Sequence, residues 1–192
     1  MTKQRCSWVT QDEIYQRYHD EEWGRPEFES QALFAKLCLD GQQAGLSWLT
    51  ILKKRDNYYR AFHDFNPRKI VLMSDDDVEK LMHDAGIIRS RLKILAIIKN
   101  ARAYLKISQH QDFSEFLWSF VEQRTECNNF RHASEVPVST DASKRMAKAL
   151  KKNGFSFVGE TICYAFMQAV GMVNDHTTDC HCYTECQQLA KK

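Results

Sequence analysis

LMHDAGIIRSRLKILAIIKNAR, residues 81–102, reads as the end of one helix, a short turn and the start of a second helix. Upstream, Ser74 followed by Asp77 has the form of an N-cap with an acid in the first turn, where the helix dipole favours negative charge. From there Val78, Leu81, Met82 and Ala85 recur at helical spacing on one face. Gly86 stands where a C′ glycine would stop that helix. Ile87 and Ile88 make an apolar connector, and Ser90 is placed to cap the next helix. That second helix carries Ile94, Leu95, Ile98, Ala101 and Leu105 along its buried side.

A turn of this kind presents free backbone N–H groups at the positive end of the second helix. Arg89, Arg91 and Lys93 gather at that same end, giving a site suited to a DNA backbone phosphate. The arrangement is that of a helix–hairpin–helix. An ordinary corner between two helices with an exposed basic edge fits these residues equally well, and Gly86 has no second glycine behind it.

Working outward, the pattern stays helical. Leu33, Phe34 and Leu37 sit at helical spacing, as do Leu49, Leu52 and the residues around Trp48. Further helices are expected at 112–122, 141–152 and 157–171, the last with an apolar run from Ile162 to Val170 that suits a central core helix. The first thirty residues, 123–138 and the tail after Asn174 are the least regular. Three prolines and seven glycines in 192 residues are few for a turn-dense β architecture. The fold class expected is all-α, a single helical domain over 1–192.

No run of residues approaches the length needed to span a bilayer, and the N-terminus has no apolar core of a secretory signal, so a cytoplasmic monomer is expected. The net charge of +2 does not announce a nucleic-acid partner, but its distribution does. Arg89 to Lys106 holds six basic residues and no acidic one, and Asp141 to Lys152 holds five basic residues against one acidic. Two such stretches on one small domain suit a phosphate-binding face as well as they suit solvated helix surfaces.

Seven cysteines are many for such a chain, and without a secretory signal a disulfide framework is not expected. Cys38 and Cys163 fall within apolar helical patterns and read as small buried hydrophobes. The tail NDHTTDCHCYTEC places His176 and Cys180 four residues apart, and the N-terminal segment offers Cys6 and His19. Four such ligands would make a closed, structural zinc site. On spacing alone, His181, Cys182 and Cys186 are alternatives to either tail ligand.

Seven strings then carry a family likeness: RCSW at 5–8, YHDEEWG at 18–24, GQQAGLSW at 41–48, LKKR at 52–55, DAGIIR at 84–89, KALKKNGFSFVG at 148–159 and VNDH at 173–176. In this order and spacing they closely resemble the bacterial 3-methyladenine DNA glycosylase I family, from about residue 5 to about 183. The resemblance implies an all-helical glycosylase of the helix–hairpin–helix superfamily. It implies one structural zinc held by Cys6, His19, His176 and Cys180, with 1–30 and 172–186 together forming the tethered segment. It also implies a base pocket around Trp8, Tyr18, Trp23, an acidic residue before GQQ, and Trp48. The substrate would be double-stranded DNA with alkylated bases, and the reaction hydrolytic excision of 3-methyladenine to leave an abasic site.

The chemistry agrees with that residue set. Methylation at N3 places positive charge on adenine and weakens its bond to the sugar, so finding, flipping and holding the base are the main tasks. Aromatic faces attract a cation, and an acceptor must meet the base edge. One departure stands out: the family usually has glutamate before GQQ, and this chain has Asp40, one methylene shorter. Asp40 is the candidate catalytic residue, accepting a hydrogen bond from the flipped base. No carboxylate follows the hairpin between Arg89 and Gln111, so no general base is named; Asp40 or Asp175 could orient water. A non-catalytic zinc-containing DNA-binding module of the same fold is the alternative. A zinc hydrolase or deaminase would need an open metal position and a neighbouring carboxylate signature, and neither is present.

Overall fold

The structure is a computed structural model that describes residues 3–190; the outermost positions of the single domain expected over 1–192 lie outside the described residues. Eleven helices make up almost all of its regular structure: α1 (Glu13–Glu21), α2 (Ser30–Gln42), α3 (Trp48–Leu52), α4 (Arg55–Ala61), α5 (Pro67–Ile70), α6 (Asp75–His83), α7 (Arg91–Ser108), α8 (Phe113–Trp118), α9 (Asp141–Lys152), α10 (Glu160–Ala169) and α11 (Tyr183–Leu189). A two-residue parallel pair, β1 (Glu126–Cys127) with β2 (Val173–Asn174), is the exception to the helices. No helix among the described residues is long and apolar enough to cross a membrane.

The core forms where α2 meets α7 and α10, with α9 packed on α10 and α5 on α7. Leu33, Phe34, Leu37, Ile94, Ile97, Ala101, Cys163, Phe166 and Met167 are fully or almost fully buried there. The helix expected from the apolar run Ile162 to Val170 is α10, and it is central as expected. Cys38 and Cys163 are buried in this core, where burial pushes the Cys163 thiol up to about 12.

The capping signal at α6 is realised in full. Ser74 Oγ accepts from the Asp77 N–H at 3.3 Å, while Asp77 Oδ2 accepts from the Ser74 N–H at 3.0 Å. The end of the helix differs from expectation. Helix α6 stops at His83 with Asp84 as its cap, and Ala85 and Gly86 lie beyond it. Gly86 therefore does not serve as a left-handed C′ residue. Its N–H donates to Asp84 Oδ1 at 2.7 Å, and a Cβ on it would lie 2.9 Å from that oxygen and 3.0 Å from Asn57. Close approach, not backbone freedom, requires glycine here.

The turn is seated on α4. Tyr58 OH accepts from the Ile88 N–H at 3.1 Å and donates to Gln42 Oε1 at 3.2 Å. Lys54 Nζ donates to the Ala85 carbonyl at 2.6 Å. Ser90 caps α7 by backbone geometry without a side-chain hydrogen bond. Leu95, expected on the buried side, is 41% exposed, because the buried face of α7 runs through Ile94, Ile97, Ile98 and Ala101 instead.

Two stretches expected to be irregular contain helices. Asp12 caps α1 by accepting from the Ile14 N–H, and α11 follows the tail turn at Cys182. The 123–138 stretch is irregular apart from β1 and a single helical turn. Its pairing with β2 draws it against the tail.

Candidate base pocket and metal centre

Trp8, Tyr18, Trp23, Asp40 and Trp48 come from five separate places in the chain, yet all line one cavity of about 370 Å³. Helix α1 supplies Tyr18, the α1–α2 connection supplies Trp23, and the C-terminal end of α2 supplies Asp40. Ser47, whose Oγ accepts from the Thr50 N–H, caps α3 and so fixes Trp48 at its first position. The rings pack on one another: Trp8 meets Trp23 edge to face with centroids 5.0 Å apart, and Tyr18 meets Trp48 at 5.5 Å. Trp118, outside these strings, lies in the core with its Nε1–H on the Glu27 carbonyl.

The polar groups of the cavity are few. Asp40 is 2% exposed, and its Oδ1 pairs with Lys36, one turn earlier on α2. Its Oδ2 is buried with no hydrogen-bond partner among the described residues, and so is Trp48 Nε1. Buried polar atoms are nearly always satisfied, so an orphan acceptor and an orphan donor in one cavity mark where a ligand belongs. Burial pushes the Asp40 carboxyl up against the opposing pull of Lys36. Burial likewise lowers the Lys36 ammonium while Asp40 holds it up. Burial, followed by the nearby Asp40 charge, raises Tyr18 well above the ordinary phenol value.

Asp175 also lines the cavity, but its oxygens are taken. Asp175 Oδ2 accepts from Tyr164 OH at 2.6 Å and from Gln168 Nε2 at 2.9 Å, and Oδ1 accepts from Asn128 Nδ2 at 2.7 Å. These bonds tie α10 to the 123–138 stretch. That stretch adds Val136, Pro137 and Val138 to the cavity wall. Sequence reasoning missed these residues, and it missed Lys36 and Tyr15. Lys36 was legible as an i,i+4 partner of Asp40 on a helix.

Beside the pocket, one face of Trp8 and Trp23 rests on a cluster of buried metal-ligating groups. Cys6, His19, His176 and Cys180 bring their ligand atoms within 4.8 Å of one another. Cys180 Sγ lies 3.5 Å from His19 Nε2 and 3.4 Å from His176 Nδ1, and Cys6 Sγ lies 3.5 Å from His176 Nδ1. Tetrahedral zinc with Zn–S and Zn–N bonds of about 2.3 and 2.05 Å would set sulfur and nitrogen about 3.5 Å apart, so the donor set fits that ion. The outer nitrogens are oriented too. His19 Nδ1 faces Asp20 Oδ1 at 2.9 Å, and His176 Nε2 faces the Trp23 carbonyl at 3.1 Å, which turns the inner nitrogens, His19 Nε2 and His176 Nδ1, toward the cysteine sulfurs. Against the cost of burial, hydrogen bonds from Arg5 and His19 hold Asp20 well below the usual carboxylate range. Gly24 permits this packing: a Cβ there would sit 2.9 Å from His176 Nε2. Of the alternative ligands, Cys182 is buried beside Cys180 and also near His19, His181 is exposed, and Cys186 is buried apart from the four.

The basic residues of the turn divide. Arg89 is exposed, and Arg91 is half exposed and paired with Glu79. Lys93 is turned inward, donating to the Gln42 and Ala44 carbonyls at 2.7 Å each, so it braces the loop after α2.

The sequence matches the family model described as methyladenine glycosylase over residues 8–183. The chain belongs to the methyladenine glycosylase family. It is 57% identical over 181 residues to DNA-3-methyladenine glycosylase 1 of Escherichia coli (strain K12), covering 94% of this chain and 97% of that protein. It is 54% identical to DNA-3-methyladenine glycosylase of Haemophilus influenzae, covering 94% and 98%. A crystal structure of 3-methyladenine DNA glycosylase I superposes with a TM-score of 0.93 at 55% identity, covering 94% of this chain and all of that one. The Staphylococcus aureus enzyme, described for its recognition of 3-methyladenine, superposes at 0.91 with 41% identity, covering 93% and 96%. Members of the family with these likenesses share the helical fold built above, so the aromatic cavity sits in a glycosylase framework.

Proposed function

We propose that this protein is a DNA-repair glycosylase that flips 3-methyladenine out of alkylated duplex DNA and hydrolyses its bond to the sugar, leaving an abasic site. The observation that carries the reading is the aromatic cavity with two unpartnered polar atoms, Asp40 Oδ2 and Trp48 Nε1. An adenine edge offers both an amino donor and ring-nitrogen acceptors, complementary to that pair. The rings of Trp8, Tyr18, Trp23 and Trp48 flank the space a flat cationic base would fill, and an aromatic face left open to it attracts such a base by roughly 0.5–2 kcal/mol. The absence of a carboxylate after the hairpin suits a base whose own charge already makes it a good leaving group.

Cys6, His19, His176 and Cys180 would hold one zinc ion as a closed structural site, joining 1–30 to 172–186 within a single domain. Bound there, zinc would supply cross-linking rather than a reactive water, because all four positions are protein ligands. The α6–α7 hairpin would serve as the helix–hairpin–helix element. Arg89, Arg91 and the free N–H groups opening α7 would face a DNA phosphate, while Lys93 would act through the loop it braces. The protein would act as a cytoplasmic monomer.

Purified protein incubated with methylated duplex DNA should release free 3-methyladenine, detected by mass spectrometry. Intact bases with retained DNA affinity would instead indicate a binding module of the same fold.

A further inference from the structure

Lys36 places a second charge in the pocket, and nothing in the reading above requires it. Its side chain is 17% exposed, its ammonium pairs with Asp40 Oδ1, and the same ammonium stands 4.0 Å from the centroid of the Trp48 ring. A lone buried carboxylate beside aromatic rings would make the cavity a cation trap. The Lys36–Asp40 pair has no net charge, and the ammonium already occupies a face of Trp48. Asp40 Oδ2 remains free to accept a hydrogen bond.

This matters because of where charge moves in the reaction. In the substrate the positive charge is on the methylated base. As the C1′–N9 bond breaks, its electron pair goes to the base, which becomes neutral, and the positive charge passes to C1′ and O4′ of the sugar. Water then adds at C1′ and loses a proton. A pocket that held the cationic base strongly would stabilise the starting state and give that stabilisation up during the step.

We propose that Lys36 sets the charge of the base pocket, cancelling Asp40 so that the cationic base is held by stacking and hydrogen bonding but is released from unfavourable charge as it becomes neutral. This rests on the glycosylase reading of the same site. Lys36 is a positioning residue on this view: it fixes Asp40 Oδ1 and leaves Oδ2 for the base edge.

Two arms test it, one of them independent of turnover. In the binding arm, parent and Lys36→Met are titrated with 3,9-dimethyladeninium, a permanent cation, and with neutral 3-methyladenine. Lys36→Met should bind the cation about tenfold more tightly relative to the neutral base than the parent does. Lys36→Arg should keep the parent ratio, and Lys36→Met combined with Asp40→Asn should lose the gained preference. In the kinetic arm, Lys36→Met should lower KM and lower kcat together, by about tenfold in kcat, the signature of relieved ground-state strain. A lower kcat with a raised KM, or a cation-to-neutral ratio unchanged from the parent in a variant that melts like the parent, overturns the proposal. If Lys36→Met is too unstable to assay, Lys36→Gln is measured the same way against the same criteria. A parent that shows the binding shift on mutation but releases no base from methylated DNA sinks the glycosylase reading while leaving the charge assignment standing.

Discussion

Asp40 is held in a state that a carboxylate avoids: 2% exposed, one oxygen on a single cation and the other without a hydrogen-bond partner among the described residues. Desolvation disfavours its charge, and only a partner or a ligand offsets that cost. The shorter side chain of aspartate is matched by Lys36 on the same helix face, which explains how a charge one methylene further back remains tolerable. Asp40→Asn keeps the shape and one acceptor but removes the charge, and release of 3-methyladenine should fall at least tenfold, the usual scale for one charged hydrogen bond in a dry site. Full activity in that variant, measured by base release, would remove Asp40 from the mechanism. Because burial raises its carboxyl, the acid limb of kcat/KM should lie above the ordinary carboxylate range and be absent from Asp40→Asn. The set Trp8, Tyr18, Trp23, Asp40 and Trp48 was legible through the family resemblance, since the four aromatics fall in the strings that carry it and Asp40 stands directly before one of them. Val136, Pro137 and Val138 were not, since only the tertiary pairing of β1 with β2 brings that wall to the cavity.

At the level of elements, the hairpin is positioned by its neighbour α4 more than by its own turn. Tyr58 is fully buried and both accepts from Ile88 and donates to Gln42, so one hydroxyl links the hairpin to the end of the pocket helix α2. Tyr58→Phe leaves two buried polar groups unpaired and should lower stability by about 1–3 kcal/mol in chemical denaturation. The cap of α6 gives a pH signature. Ser74 backbone and side-chain hydrogen bonds hold the Asp77 carboxyl down at about 2. A depressed folded-state value means the contribution is present above the unfolded value of about 4 and is lost as pH falls toward about 2. Asp77→Asn should therefore flatten the melting temperature against pH in that window, and an unchanged acid slope would count against the cap. The start of α6 was legible because capping is local chemistry. Its end was not: Gly86 looks like a terminator in one dimension, while the actual constraint is the approach of Asn57 from α4. Helices α1 and α11 were hidden for a related reason. Helix α1 buries only Tyr18 and His19, and His19 faces Cys180 far along the chain, while α11 is a short helix that buries only Tyr183 and Cys186.

Across the whole molecule, the two ends of the chain meet at the cluster of Cys6, His19, His176 and Cys180, and the pocket rings stand directly on it. His19 stacks near Trp23 at 6.2 Å, His176 meets Trp23 edge-on at 4.6 Å, and Trp8 meets His19 at 5.3 Å. Anything that fixes the histidines therefore fixes two walls of the cavity. Around the cluster, Arg5 pairs with Asp20 through two 2.8 Å hydrogen bonds, and Arg25 pairs with Glu185 on α11. These exposed or part-exposed pairs are weak cross-links on their own, whereas a four-ligand metal site closes a loop of nearly the full chain. Removing zinc with a chelator should thus lower the melting temperature and the rate of base release together, while circular dichroism continues to report a helical core built from α2, α7 and α10. Because the proposed ion carries no reactive water, zinc added back should restore both properties in parallel, and a non-catalytic tetrahedral ion such as cadmium should restore them as well. A chelated, folded protein that kept full base release would separate the tether from the pocket. Restoration by zinc but not cadmium would instead point to an ion that takes part in the chemistry.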